Sequence, residues 1–179
     1  QIMIVDGSNG YVYTIATTTL AQITDVDFPG ADVVRFIDGY FVFNWPGTGK
    51  FMITALYDGS SMDALDFATS EGSPDNLVSL EVNHRQLYTA GDKSTEVWMN
   101  TGNPDFPFER VGNTFIEQGW AAPFSGAKLD NSIFWGGKDD HGQGIAWKLN
   151  GYTPTRISTH SEELEIATAT TMSDIKGIA

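Results

Sequence analysis

The sequence predicts an all-β fold, β-propeller-like, with about three to four antiparallel blades of a longer propeller; a β-sandwich is the alternative. Three observations predict it. First, short apolar runs are separated by turn residues, with 19 Gly and 7 Pro in 179 residues, a mark of many reversals. Second, turn residues preceding an aromatic-rich strand recur at Asn9, Asp38, Asn83 and Asp130. The last three lie 45 and 47 positions apart and the first gap is 29. Each full unit reads strand, turn, aromatic strand, loop, strand, then a polar phrase holding Leu65, Phe108 or Ile157. Four short strands in roughly 40 to 50 residues is the period of propeller blades, none of which buries its faces alone. Sandwich hairpins can recur at similar spacing, which keeps the alternative open. Third, Val78 to Gly102 reads as a three-stranded meander, an arrangement with little core of its own.

Taken in order, Ile2, Ile4 and Val5 form a first strand, and Gly7-Ser8-Asn9-Gly10 reads as a hairpin turn of the Asn-Gly kind. Tyr11–Ile15 returns and Leu20–Ile23 follows. Val33–Ile37, the turn Asp38-Gly39, Tyr40–Phe43, a loop from Asn44 to Gly49 and Phe51–Leu56 make the next unit, with Asp63–Phe67 after it. In the meander, Val78, Leu80 and Val82 alternate with Ser79 and Glu81, the two-residue period of a strand with one buried face. Asn83-His84-Arg85 turns the chain, Gln86–Ala90 goes back, Gly91-Asp92-Lys93 reverses again, and Thr95–Met99 is the third strand. Pro107–Val111 is extended; Phe115–Trp120 is strand or helical turn. Ala127–Leu129, the turn Asp130-Asn131, Ile133–Trp135, Ile145–Leu149 and Thr155–Ile157 form the last unit. Thr159 with Glu162 three residues later fits a capping box for a short helix over Ser161–Ala167, and the Thr run at 168–171 argues against a long one. The chain thus divides into repeat units of about 1–31, 32–76, 77–123 and 124–170, one partial propeller in all. Gln1 in first position and an uncapped last stretch, MSDIKGIA, suggest an excised piece of a longer protein.

Charge and composition narrow the function. Ten Lys plus Arg against 23 Asp plus Glu give a net charge of −13. Such a surface repels phosphate backbones and offers no basic stripe, so direct nucleic-acid recognition is disfavoured. With no Cys there is neither a disulfide framework nor a thiolate metal site. No apolar run approaches the roughly 18 residues of a membrane span.

Reactive constellations are weak. His84, His141 and His160 lack the spacing of a helical zinc motif, so no metal or other cofactor is expected. The stretch Lys138-Asp139-Asp140-His141-Gly142 to Trp147 faintly resembles the Asp-box of sialidase-type propellers, a structural turn, but lacks the leading Ser or Thr. Asp6 to Gly10 and Asp58 to Asp63 look superficially like calcium loops, yet neither carries the alternating oxygen ligands and terminal Glu. Ser94-Thr95-Glu96 has no nucleophile elbow around it, and hydroxyls beside a Gly-Asp turn satisfy turn amides. Trp98 and Trp147 lie mid-strand and read as packing. Trp45, in a Pro-Gly loop, and Trp120 are the aromatics expected to meet partners. No catalytic residue is assigned.

The run from Asp32 onward resembles the packaged-DNA stabilisation proteins of short-tailed bacteriophages, also called tail hub or plug proteins. The matching phrases are DVVRFIDGYFVFNWPGTGKFMIT, LDFATSEGSPDNLVSLEVNHRQLYTAGDKSTEVWMNTG, NSIFWGG and GYTPTRIST. Most specific is the phrase carrying Gly91, Ser94, Thr95, Glu96 and Trp98, followed by Asn100-Thr101-Gly102; residues 1–31 match only loosely. The resemblance implies a non-enzymatic virion protein, made in the bacterial host cytoplasm and built into the phage tail. It implies a ring homo-oligomer in the full-length protein, placed after the portal-side adaptor, retaining the genome and carrying tail needle and tailspikes. Known members are much longer. The alternative function is a carbohydrate-binding or polysaccharide-cleaving β module working through Trp-rich loops and paired carboxylates.

Overall fold

Alternation decides the architecture. In the strand Tyr40–Asn44, Phe41 and Phe43 pack on one side while Val42 packs on the other, and all three are buried. A strand apolar on both faces belongs to a sheet covered on both sides. The computed structural model describes residues 1–139, 141–168 and 171–179, and within them the chain forms four antiparallel sheets in sequence order.

The first sheet is β1 (Ile2–Val5), β2 (Gly10–Thr14) and β3 (Thr19–Gln22). The second is β4 (Val34–Ile37), β5 (Tyr40–Asn44), β6 (Lys50–Ile53) and β7 (Phe67–Thr69). The third is β8 (Leu77–Asn83), β9 (Gln86–Gly91), β10 (Thr95–Asn100) and β11 (Phe108–Arg110). The fourth is β12 (Ala127–Leu129), β13 (Ser132–Lys138), β14 (Gly144–Asn150) and β15 (Thr153–Arg156). A helix, α1 (His160–Ala167), docks on β14, and a 3-10 turn spans Met172–Asp174. Among the described residues no helix is long and apolar enough to cross a membrane.

The sheets stack serially. Met3, Val12 and Ile23 of the first sheet region meet Phe41, Phe43 and Met52 of the second. Val42, Phe51 and Ile53 then meet Leu80, Leu87 and Trp98 of the third. Tyr88, Ala90 and Val97 meet Ile133, Trp135 and Leu149 of the fourth. Each fully buried Leu, Ile or Phe contributes about 1.5–3 kcal/mol, so the seams hold the fold. Neighbouring sheets touch through their first strands, β1 against β4 and β4 against β8, with β5 also reaching β8. This is the propeller arrangement; a sandwich would close two sheets over one core.

Several expectations change in detail. The first sheet keeps the three strands read from the sequence. Its hairpin turns over Asp6–Asn9, with Gly10 already paired to Val5, because the Asp6 carboxylate accepts from the Ser8 and Asn9 amides. Ser79 and Glu81 are buried along with Leu80, since β8 is covered on both faces. Asn83 still pairs with Gln86; the turn residues are His84 and Arg85, both left-handed. The fourth strand of the second unit is Phe67–Thr69, at the end of the polar phrase 63–67, and Leu65 is exposed. The segment 115–120 is neither strand nor helix; Ile116 alone bridges to Thr95. The helix begins at His160 with both capping-box bonds formed. Asp140 of the Asp-box phrase, and residues 169 and 170 of the Thr run, lie outside the described residues.

Candidate functional site

The side chains singled out by the sequence converge on the seams between sheets. The turn after Gly91 exposes backbone amides that need acceptors. Asp75, in the linker entering the third sheet, supplies them: its Oδ2 accepts from Lys93 N at 2.8 Å and Ser94 N at 3.1 Å. Gly91 is required beside it, because a Cβ there would strike the Asp75 carboxylate. Thr95 exchanges backbone hydrogen bonds with Ile116 and donates its hydroxyl to Gln118 O at 2.9 Å, fastening the linker that leaves the sheet.

Glu96 is 1 % exposed. Its Oε1 accepts from Gly72 N at 2.5 Å, and its Oε2 lies 3.0 Å from Arg110 Nε, in an ion pair not aligned as a hydrogen bond. Trp98 turns its ring edge to Phe51 of the preceding sheet, with centroids 5.1 Å apart. Its Nε1 donates to Thr89 Oγ1 at 3.1 Å, and that hydroxyl meets Ser70 Oγ at 3.1 Å. Gly102, with φ +72°, donates to Asn100 Oδ1 and turns the chain toward β11.

A second tie runs along the inner strands. The Glu81 carboxylate, nearly buried, pairs with Arg35 Nη2 of β4 at 3.2 Å and Lys128 Nζ of β12 at 3.4 Å. Lys128 Nζ also donates to Val82 O at 3.1 Å. One carboxylate thus bridges cations from the sheets on either side. At the hairpin tips, Arg85 meets Asp38. None of these partners was singled out by sequence, though a signal existed: Arg35 and Glu81 differ by 46 positions, as do the left-handed turn residues Asp38, His84 and Asp130.

The two partner-facing aromatics separate. Trp45 is half-buried against the first seam, with Lys50 Nζ 5.1 Å from its ring centroid. Trp120 corrects the expectation: it is 2 % exposed and stacks on Trp135 at 5.9 Å, so it is packing inside the third seam. A loop position did not mean exposure there, because the linker crosses between two sheets.

The three histidines stay apart, at a hairpin tip, in the β13–β14 loop and at the start of α1. Asp58 and Asp6 close their own turns, and local amides and side chains hold both carboxyls below the usual range. Asp139 likewise accepts from His141 N and Gln143 N. At the far end Glu163 is fully enclosed; it accepts from Arg156 and from Ser158 Oγ, and the Arg156 guanidinium draws its carboxyl down to about 2.

The chemistry of these contacts is mechanical: carboxylates and hydroxyls lock one sheet or linker to the next. No curated protein matches this chain. A family model described as bacteriophage P22 Gp10, beta-propeller, matches residues 1–178, nearly the whole length. With its serial four-sheet stack, the chain therefore belongs to the bacteriophage P22 Gp10 β-propeller family, the phage stabilisation family of structural proteins.

Proposed function

We propose that this chain is the propeller part of a phage tail hub or plug, which helps retain packaged DNA and joins the portal-side adaptor to tail needle and tailspikes. It acts through surfaces and not through a reacting centre. The observation that carries this is the set of charged ties crossing consecutive sheets, with Glu81 held from both sides by Arg35 and Lys128. Units of about 1–31, 32–76, 77–123 and 124–170 then serve as successive modules. Gly91, Ser94, Thr95, Glu96, Trp98 and Gly102 act as their fasteners. The half-buried Trp45, in a loop closed by hydrogen bonds to Thr48 and Lys50, is the contact for another tail protein.

The charge of −13 fits a plug that lets DNA pass without gripping it. In the full-length protein the subunits form a ring in the virion, after synthesis in the host cytoplasm. The test is made on particles. Substituting Trp98→Ala in the phage is expected to give heads that package DNA and then lose it, counted as empty against filled particles. Trp45→Ala is expected to leave the protein folded but absent from tails. Filled, infectious particles from both variants overturn the proposal, as does carboxylate-dependent cleavage of host polysaccharide by the purified chain.

A further inference from the structure

Asparagine is a thermolabile side chain, and a following glycine, which has no Cβ, lets the next amide nitrogen close on the carboxamide. The chain holds that pair twice, at Asn9-Gly10 and Asn150-Gly151. The fold treats the two oppositely. Asn9 is held at both ends of its side chain: Nδ2 donates to the two Asp6 oxygens at 3.3 and 3.2 Å, and Oδ1 accepts from Gln22 Nε2 at 3.1 Å. Gly10 is buried in β2, where the Ile23 and Phe28 side chains leave no room even for a Cβ. Turning the Asn9 carboxamide onto the Gly10 nitrogen would break all three bonds beside a packed strand. Asn150, in contrast, ends β14 at an exposed tip. Among the described residues its side chain makes one hydrogen bond, from Nδ2 to Thr155 Oγ1 at 2.8 Å. Asn150 pairs with Thr153, so Gly151 and Tyr152 are the whole turn. Gly151 leads it with φ +60°, in open space, and its N–H makes no hydrogen bond among the described residues.

We infer that Asn150 is a site of spontaneous deamidation, converted in the folded protein while Asn9 is preserved. The Gly151 nitrogen attacks Asn150 Cγ. Its proton passes through solvent to the carboxamide nitrogen, which departs as ammonia and leaves a succinimide. Water then opens the ring at either carbonyl, giving aspartate or isoaspartate. Water is the co-reactant, and nothing is oxidised or reduced. Both products add a negative charge at the tip. Isoaspartate also routes the main chain through Cβ and Cγ, which lengthens it at a turn that fits two residues. Two ties depend on that tip. Tyr152 Oη accepts from Gln86 Nε2 of the third sheet at 2.7 Å, so the tip leans on an internal seam. From the same turn, β15 runs on to Arg156, whose guanidinium holds Glu163 of α1. The modification therefore loosens β15 and, through Arg156, the helix.

The purified chain is incubated in warm, mildly alkaline buffer, digested, and read by mass spectrometry, with isoaspartate scored by its specific methyltransferase. Loss of the carboxamide is expected at Asn150 and not at Asn9. In denaturant the fold no longer separates the two sites, and both are expected to convert. Asn150→Gln keeps Gly151 and its turn, and is expected to lose the conversion at this position. Hydrogen exchange of the β15 and α1 amides should quicken in the isoaspartate fraction. It should quicken less in Asn150→Asp, which adds the charge without lengthening the chain. Asn150 left intact in the folded chain while it converts in denaturant, or Asn9 converting as fast in the folded chain, overturns the inference. Unchanged exchange in the isoaspartate fraction overturns the loosening of β15.

Discussion

Asp38 and Arg85 stand at the tips of adjacent hairpins, both with left-handed backbone (φ 49° and 60°), and two nitrogens of the Arg85 guanidinium donate to one Asp38 oxygen at 3.2 and 3.0 Å. The second residue of such a hairpin turn ordinarily calls for Gly, and Gly39 occupies that place in the neighbouring tip. Arg85 accepts backbone strain in exchange for a reach that glycine lacks. The tip is therefore a connector between sheets as well as a turn.

That trade predicts opposite results for two truncations. Arg85→Ala keeps the left-handed strain and loses the exposed ion pair, a contact of about 0–1 kcal/mol. Arg85→Gly loses the same pair but relieves the strain, and is expected to be the more stable of the two by about 1 kcal/mol. Urea midpoints of the two variants measure this; equal midpoints would remove strain from the account.

Glu81 is the junction of three inner strands, so its loss should be felt more than that of either cation. Glu81→Gln leaves Arg35 and Lys128 without their shared charge. Because both reach solvent, with 28 % and 52 % of their side chains exposed, the expected cost is about 1–3 kcal/mol rather than the 3–5 of a fully enclosed pair. Lys128→Met should cost under about 1 kcal/mol. A double-mutant cycle is expected to show coupling between the two sites. Additive unfolding energies would mean that the tie does not exist in solution.

Trp98 fills the second seam and also donates to Thr89, so two substitutions separate volume from hydrogen bonding. Trp98→Ala is expected to destabilise by about 3–5 kcal/mol through the cavity. Thr89→Val keeps the volume but strands the indole N–H and the Ser70 hydroxyl, costing about 1–3 kcal/mol. Thermal unfolding of both checks the order, and a Thr89→Val protein as stable as the parent sinks the hydrogen-bond chain.

The strands were legible because their period and their turn residues are local. Asp38-Gly39, Asp130-Asn131 and the Thr159/Glu162 box were read correctly for that reason. What escaped depends on neighbouring sheets. Glu81 and Ser79 look like solvent positions until β8 is covered on both faces, and Trp120 looks exposed until its linker is seen to pass between sheets. Asp75 was hidden in a breaker phrase, although its carboxylate answers the amides after Gly91. The repeat held the missing clue: placing the third turn at His84 instead of Asn83 makes both intervals 46 and aligns Arg35 with Glu81.

The helix α1 is only 8 residues long, too short to persist by itself, and Glu163 fixes it to the fourth sheet. The carboxylate accepts from Arg156 and from Ser158 Oγ, with the His160 ring 3.8 Å away, and its pKa is lowered to about 2. A carboxyl whose folded pKa is depressed contributes stability that is fully present above its unfolded value near 4.5 and is lost as pH falls through about 2. Hydrogen exchange of the α1 amides should therefore stay slow above pH 4.5 and quicken between 4.5 and 2, once corrected for intrinsic exchange. In Glu163→Gln the same amides should be less protected and their protection should fall less across that window, with only the Glu162 carboxylate of the capping box left to titrate. Parent and variant giving the same profile would mean that something other than this carboxylate holds the helix.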